Sequence, residues 1–228
     1  MHDPKTPMDI GDAMIDCLVQ INKSQDCGSC TLCWASKKPI GFKNHSKIIL
    51  DENSPAAVGH NSMYTRNVFD PKTYKFKIVK PSTNDKLGKK VTRGKLQGAK
   101  IYTVTLEERA TCTSDCEHWL DCYGNNMPFA HRIKASPKIM DRISEDLDEL
   151  DDKGKKYLVR LHVLGDFFSV EYVNFWIDQI MSRPLLNVYG YTRWHIGTEI
   201  GDRINKYNSH SRFAIRFSNA LSGFRAMS

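Results

Sequence analysis

A strand, a turn and a helix cap follow one another in residues 157–169, which read YLVRLHVLGDFFS. Aliphatic residues recur as far as Leu164, a pattern typical of a buried β-strand. Gly165 and Asp166 are turn-forming residues, and Ser169 is a preferred first residue of a helix. The stretch therefore predicts a β-strand that runs almost directly into an α-helix.

The same alternation of strand and helix extends through the C-terminal half of the chain. Runs rich in β-branched and aromatic residues predict strands at 101–106, 157–164, 187–191 and 212–217, with an edge strand at 74–79. Helical spacing predicts helices at 137–150, 169–181 and 197–207. Such strands pair in parallel, with the helices packed outside. We therefore expect an α/β fold with a parallel-strand, barrel-like or partial-barrel core, and an open sheet as the alternative.

Three charged or titratable residues lie on strands that should be apolar. Arg160 and His162 share one face of strand 157–164, and Arg216 lies in strand 212–217. A central parallel strand is normally apolar on both faces, and an unpaired buried charge is costly. These residues therefore indicate either a functional polar interior, or a structural ion pair or an edge strand.

Polar residues also follow the predicted strands, where parallel α/β folds place their sites. Asp166 follows strand 157–164, and Arg193 follows strand 187–191. Together with Arg160 and His162, they are the predicted catalytic residues, acting as acid, base or anion-binding groups. The alternative for Asp166 is that it only caps the next helix.

The seven cysteines fall into two groups. Cys17, Cys27, Cys30 and Cys33 have the spacing C-x9-C-x2-C-x2-C, and Cys112, Cys116 and Cys122 have the spacing C-x3-C-x5-C. The first group predicts a closed four-thiolate site, and the second predicts a three-thiolate site with an open coordination position. The short repeated gaps favour iron–sulfur ligation, with zinc as the alternative.

The composition of the chain limits the class of protein to which it can belong. It has 228 residues, of which 40% are hydrophobic and 26% charged, as in a globular protein. It has no apolar run long enough to span a membrane and no apolar signal region, so we expect neither membrane insertion nor secretion. We divide it into a cysteine-rich cluster-binding module at 1–50, a linker at 51–73 and an α/β domain at 74–228.

The net charge of +7 is concentrated in one segment, residues 72–100. Such a concentration of lysine and arginine indicates a polyanion partner, and nucleic acid is the first candidate. The predicted nucleic-acid-binding residues are Lys86, Lys89, Lys90, Arg93, Lys95 and Arg132. The alternative is a solvated basic surface without a partner.

Several of these segments occur together as a set. They are residues 101–106, the C-x3-C-x5-C group followed by Tyr123-Gly124, the GDFFS of 165–169 and the YGYTR of 189–193. The set resembles the phage and plasmid protein family called gene product eighty-eight. Cys17 to Trp34, with residues 38–42 and His45, resembles that family's second cysteine cluster. The resemblance implies a protein of viral or mobile-element origin that works in the cytoplasm of a host cell.

Two differences from related patterns concern order and spacing. In the family that the chain resembles, the second cysteine cluster comes last, whereas here it comes first, and the chain ends at Ser228. This order indicates a circular permutation, with residues 51–73 bridging the usual ends. The three-cysteine group is also distantly similar to that of radical S-adenosylmethionine barrels, which implies S-adenosylmethionine as a cofactor. Their motif is C-x3-C-x2-C, and the second gap here is five residues.

One functional hypothesis joins these observations. It is an iron–sulfur protein with a 4Fe–4S cluster on Cys112, Cys116 and Cys122, which carries out redox or radical chemistry on a nucleotide or nucleic acid. The four N-terminal cysteines would hold a second cluster or a zinc ion. The alternative is a zinc- or cluster-stabilised protein that binds nucleic acid without catalysis.

Overall fold

The computed structural model describes residues 48–83 and 88–218. The N-terminal cysteine module predicted at 1–50, with all four of its cysteines, lies outside the described residues apart from its last three positions, and so does Lys86. The described residues belong to one compact unit. Within the described residues, no helix is long and apolar enough to cross a membrane.

Strands and helices alternate along the described chain. The strands are β1 (Val68–Phe69), β2 (Lys80–Pro81), β3 (Lys100–Thr103), β4 (Arg132–Ile133), β5 (Tyr157–Leu161), β6 (Leu186–Thr192) and β7 (Phe213–Phe217). The α-helices are α1 (Pro55–Val58), α2 (Pro137–Asp151), α3 (Val170–Ser182) and α4 (Glu199–Tyr207). Short 3-10 helices occupy Thr65–Asn67 and Tyr123–Asn126.

The main sheet has five strands in the order β2-β3-β5-β6-β7. Strands β3, β5, β6 and β7 are parallel to one another, and β2 pairs with β3 in the antiparallel direction. A separate two-stranded parallel sheet joins β1 to β4. The molecule is therefore a mixed α/β protein with a parallel sheet, as the strand–helix repetition predicts.

The expectation of a barrel-like core needs correction. In the described residues the sheet is open, because β2 and β7 form its two edges and do not pair with each other. A closed barrel of parallel strands has about eight of them, and four parallel strands are too few. The alternative of an open sheet is the one observed.

The predicted edge strand at 74–79 is also wrong. The backbone N–H groups of Ile78 and Val79 donate to the carboxylate of Asp146 in α2, at 2.6 and 2.9 Å. They do not join a ladder of strand hydrogen bonds. The edge strand is β2, immediately after this segment.

Helices α2, α3 and α4 cover one face of the sheet. Side chains on this face, such as Val159 in β5 and Val188 in β6, are buried in one hydrophobic core with Ile143 in α2 and Trp176 in α3. Side-chain oxygens cap two of these three helices: Ser169 accepts from Tyr172 N–H, and Thr198 accepts from Gly201 N–H. The helix predicted from the Ser169 cap is thus confirmed.

The opposite side of the sheet carries a different set of side chains, which we call the open face. The strand register brings together Thr103, Arg160, Tyr189, Tyr191, Ala214 and Arg216 on this face. None of them belongs to the hydrophobic core, and Tyr191 is 52% exposed. The carboxyl half of the sheet therefore has one apolar face under the helices and one polar, aromatic face, whereas Ile101 and Leu158 make the amino end of the open face apolar.

Candidate metal centre at the carboxyl edge of the sheet

Three loops meet at the carboxyl edge of the sheet. The cysteine loop, residues 107–127, follows β3, and residues 162–169 and 193–198 follow β5 and β6. Leu106 N–H donates to Leu164 carbonyl oxygen at 3.0 Å, which joins the first loop to the second. In parallel α/β folds this edge is where sites form.

Gly165 is required for the close approach of these two loops. Its φ is +80°, and a Cβ there would lie 2.4 Å from Thr111 Oγ1 and 2.6 Å from Leu106 Cβ. Any larger residue would therefore push the cysteine loop away from the loop after β5.

The cysteine loop brings three free, half-buried thiols to this edge. Burial is the main cause that raises the pKa of Cys112, Cys116 and Cys122. The charges of Cys116 and Cys122 add to the rise at Cys112, so the three sulfurs lie close enough to interact electrostatically. Asp166 also raises the pKa of the Cys112 thiol.

Backbone hydrogen bonds and arginine side chains partly offset the rise in the pKa of the three thiols. Gly124 N–H donates to Cys122 Sγ at 3.4 Å, and backbone hydrogen bonds at Arg109 and His118 lower the pKa of Cys112 and Cys116. The guanidinium of Arg109 lowers the pKa of Cys122, and that of Arg193 lowers the pKa of Cys116. Hydrogen bonds to sulfur and nearby positive charge are the features that tune cysteine-ligated clusters.

The donor set fits a soft metal or an iron–sulfur cluster in its chemistry. Thiolates select zinc, copper(I) and iron–sulfur clusters. As the side chains stand in the described ranges, no three Cys, His, Asp or Glu are close enough together to hold a metal ion. The thiols would therefore have to rotate inward to form a complete ligand set.

Asp166 joins the loops after β5 and β6. One carboxylate oxygen accepts from Phe167 N–H and the other from Arg193 N–H, both at 2.7 Å, while Asp166 N–H donates to Thr111 Oγ1 at 3.1 Å. Burial raises the pKa of Asp166 to about 6, against the lowering effect of its backbone hydrogen bonds and Thr192. A carboxyl group with this pKa can take up or release a proton near neutral pH.

Two ion pairs connect the cysteine loop to the loop after β6. Arg193 Nη2 lies 2.8 Å from Glu117 Oε1, and His195 Nε2 lies 2.9 Å from Asp115 Oδ2. Both acids flank Cys116 in the sequence. The pairs therefore place Arg193 beside this thiol.

A fully buried ion pair supports the cysteine loop from beneath. Arg132 Nε donates to Glu108 Oε2 at 2.6 Å, and Ser62 Oγ donates to Glu108 Oε1 at 2.8 Å. Arg132 also donates to the carbonyl oxygens of Gly124 and Met127. A Cβ at position 124 would lie 2.9 Å from the Glu108 carboxyl carbon, so glycine is needed there.

This geometry corrects the prediction for Arg132. Its side chain has no exposed surface and is bonded to Glu108, so it does not reach a phosphate at the surface. It is a structural residue of the cysteine loop.

A second buried arginine, Arg109, holds the other side of the loop. Its guanidinium donates to Asn125 Oδ1 at 2.6 Å and to Trp119 carbonyl oxygen at 3.0 Å. Asn125 in turn donates to the carbonyl oxygens of Ile48 and Leu120. Part of the segment predicted as a linker, residues 51–73, lies in the same network through Asn61 and Ser62.

The other predicted catalytic residues lie in different surroundings. His162 is buried against aromatic rings, at 5.7 Å from Tyr172 and 5.1 Å from Phe167 between centroids. Burial lowers the pKa of His162 to about 3. Arg160 lies on the open face. The structure thus brings Asp166 and Arg193 to the three thiols and places His162 in the aromatic part of the core.

The predicted basic patch is exposed where the structure describes it. Lys89, Lys90, Arg93 and Lys95 all lie at the surface, between β2 and β3. Lys90 helps to line a cavity of about 340 Å³ at the amino edge of the sheet, opposite the thiols. Lys100, Lys153, Lys155 and Lys156 also line this cavity, with Tyr102 and Tyr157.

Several residues of the site have no counterpart among the predicted site residues. They are the buried Ser62, Glu108, Arg109 and Asn125 and the ion-pair partners Asp115, Glu117 and His195. The signal for Glu108 and Arg109 was their position just after the strand predicted at 101–106. Their partners are distant in sequence, so only the fold identifies them.

Together, the fold and this edge define a mixed α/β protein whose parallel sheet carries three free thiols among buried charged residues. Residues 76–220, more than half of the chain, match the family described as Gene product 88. The chain belongs to the Gene product 88 family, as its sequence segments suggested. Comparison with curated proteins and with solved structures gives no match.

Proposed function

We propose that this protein is an iron–sulfur protein whose cluster is held by Cys112, Cys116 and Cys122. The observation that carries the proposal is the position of three free thiols in one loop after the first parallel strand, each with a backbone hydrogen bond and two with a nearby arginine. A 4Fe–4S cluster on three thiolates leaves one iron open to a substrate or S-adenosylmethionine and supplies one-electron chemistry.

The neighbouring residues would act on a substrate at this edge. Arg193, held by Glu117, would bind an anionic group next to Cys116. Asp166 would exchange a proton with the substrate, since its pKa of about 6 allows both protonation states near neutral pH. The substrate class that these groups suit is a nucleotide or nucleic acid, and the reaction class is redox or radical chemistry.

Three further points belong to the same proposal. The family match supports an origin in a phage or mobile element. The cysteine order supports a circular permutation, in which Cys17, Cys27, Cys30 and Cys33 would hold a second cluster or zinc. The location of the three-cysteine group after the first parallel strand supports the relation to radical S-adenosylmethionine enzymes.

The first test is anaerobic purification with a visible spectrum and analysis of iron, sulfide and zinc. We expect a brown protein, and Cys112→Ala should lose the iron and sulfide of one cluster. The matched variant Cys30→Ala, in the other cysteine group, should keep that cluster. A colourless wild-type protein, or full iron content in Cys112→Ala, would contradict the proposal.

A second measurement tests S-adenosylmethionine. Added to the reduced protein, it should perturb the EPR signal of the cluster and yield cleavage products. An unchanged signal together with intact S-adenosylmethionine would remove the radical part of the proposal and leave a redox protein.

The lysine-lined cavity favours a second candidate function. Five lysines around one cavity suit a polyanion, as expected of a zinc- or cluster-stabilised protein that binds nucleic acid without catalysis. Stoichiometric zinc, no iron, and DNA affinity that falls steeply with salt would support this candidate over the first.

A further inference from the structure

The open face has two arginines without carboxylate partners among the described residues. Arg160 and Arg216 form none of the observed ion pairs, and Arg160 Nε is buried without a hydrogen-bond partner. No Asp or Glu occupies a register position on this face of β3, β5, β6 or β7. Within the described strands, this face therefore carries positive charge with no carboxylate beside it.

Two tyrosines lie between these arginines. Tyr189 pairs in register with Arg160 on β5, and Tyr191 pairs with Arg216 on β7. The guanidinium of Arg160 counters the rise that burial causes in the pKa of Tyr189, so the two groups are close. Along a strand, residues two apart are about 7 Å apart and point to the same side. The rings and guanidinium groups thus form one continuous surface.

We propose that the open face binds single-stranded nucleic acid, with bases on Tyr189 and Tyr191 and phosphates at Arg160 and Arg216. Aromatic side chains on an exposed sheet face can stack unpaired bases, and arginines hold the backbone. A duplex hides its base faces, so its bases cannot stack on these rings.

The open face lies next to the proposed metal centre. Arg160 and Tyr191 are near the carboxyl ends of β5 and β6, from which the loops with Asp166 and Arg193 begin. The inference narrows the substrate of the proposed function to single-stranded nucleic acid. Any reaction on that strand rests on the proposed function, whereas the binding itself does not.

The test is fluorescence anisotropy with the full chain and a labelled single strand of about 12 nucleotides. The double variant Tyr191→Ala/Arg216→Ala removes two exposed side chains, so it should fold normally, which circular dichroism checks. We expect this variant to bind the single strand roughly 10- to 100-fold more weakly. The slope of its log affinity against log salt concentration should decrease by the amount expected for about one phosphate contact.

A matched control removes the same kinds of side chain on the helix side of the sheet. Phe76 is 62% exposed and its carbonyl oxygen accepts from Arg142 in α2, and Lys138 is exposed on the same helix. Phe76→Ala/Lys138→Ala should bind within about twofold of the wild type. Equal losses in the two double variants would overturn the proposal, as would a duplex that binds as tightly as the single strand.

The same assay on Cys112→Ala separates this inference from the metal centre. Binding that persists in this variant supports the open face whether or not a cluster is present. Binding that requires Cys112 would overturn the assignment to the open face.

Discussion

His162 is a residue whose pKa is strongly lowered by burial. Its imidazole contacts Tyr172 and Phe167, with the positive charge of Arg160 nearby, and its pKa in the folded protein is about 3. In the unfolded chain the pKa is near 6.5. The folded state therefore binds fewer protons than the unfolded state between these values.

This difference predicts a loss of stability in acid. The contribution of His162 to the free energy of unfolding is fully present above pH 6.5. It is lost as the pH falls toward 3, by up to about 1.4 kcal/mol per pH unit. His162→Asn removes this titration, so urea unfolding between pH 6 and 4 should show a shallower pH dependence. Equal slopes in wild type and His162→Asn would contradict the prediction.

The buried pair of Glu108 and Arg132 gives a second prediction. Glu108→Leu leaves a buried guanidinium without its carboxylate, so we expect the free energy of unfolding to fall by about 3–5 kcal/mol. The double variant Glu108→Leu/Arg132→Met removes both charges and should be less destabilised than the sum of the single variants. Urea unfolding measures both.

A surface pair provides the comparison for this experiment. Lys138 and Asp141 form an exposed pair in α2, and Lys138→Ala should change the free energy of unfolding by less than about 0.5 kcal/mol. A similar small change in Glu108→Leu would mean that the buried pair does not support the cysteine loop.

The sequence predicts the candidate-site residues that follow strands and misses the residues that support the cysteine loop. Cys112, Asp166 and Arg193 could be predicted because parallel strands bring their carboxyl ends to one edge. Glu108 and Arg132 are 24 positions apart and lie on different segments. No periodicity connects them, so their pairing depends on the tertiary fold.

At the scale of the elements, helix α2 holds the segment before β2 through the carboxylate of Asp146. Asp146→Ala would leave the buried N–H groups of Ile78 and Val79 without an acceptor, which should cost about 2–5 kcal/mol. Amide hydrogen exchange at these two residues should accelerate together with the loss measured by urea unfolding. Glu145→Ala, an exposed acid on the same helix, should leave both exchange rates unchanged. Slow exchange in Asp146→Ala would show that another group protects these amides.

The same contact explains why the strand at 74–79 could not be predicted correctly. Alternation of apolar and polar residues indicates extended backbone but does not reveal its hydrogen-bond partner. Here the partner is the side chain of Asp146, which lies 68 positions after Ile78 in the sequence. By contrast, Ser169 and Thr198 cap their own helices, so local sequence sufficed for α3 and α4.

For the whole molecule, the contacts among the three loops predict a shared response to ligand. Asp166 and the pairs of Arg193 and His195 link the cysteine loop to the loops after β5 and β6. Anaerobic reconstitution with iron and sulfide should therefore slow amide exchange in residues 107–127, 162–169 and 193–198 together. Protection limited to the cysteine loop would mean that the three loops are not coupled.

Whether the sheet closes into a barrel or stays open is a property of the whole molecule. Strand–helix repetition is common to both, so it predicts parallel pairing without fixing closure. Closure depends on the number of strands and on the pairing of the first with the last. The chain places the antiparallel β2 beside β3, and the four parallel strands remain an open row in the described residues.

The strand order has a consequence for how the protein is made. In the five-stranded sheet, spatial order follows the order of synthesis from β2 to β7. Each strand that leaves the ribosome therefore meets a partner that has already been made, and the growing sheet needs no later strand to insert between two earlier ones. Such stepwise addition shortens the time for which an unpaired edge is available to other nascent chains.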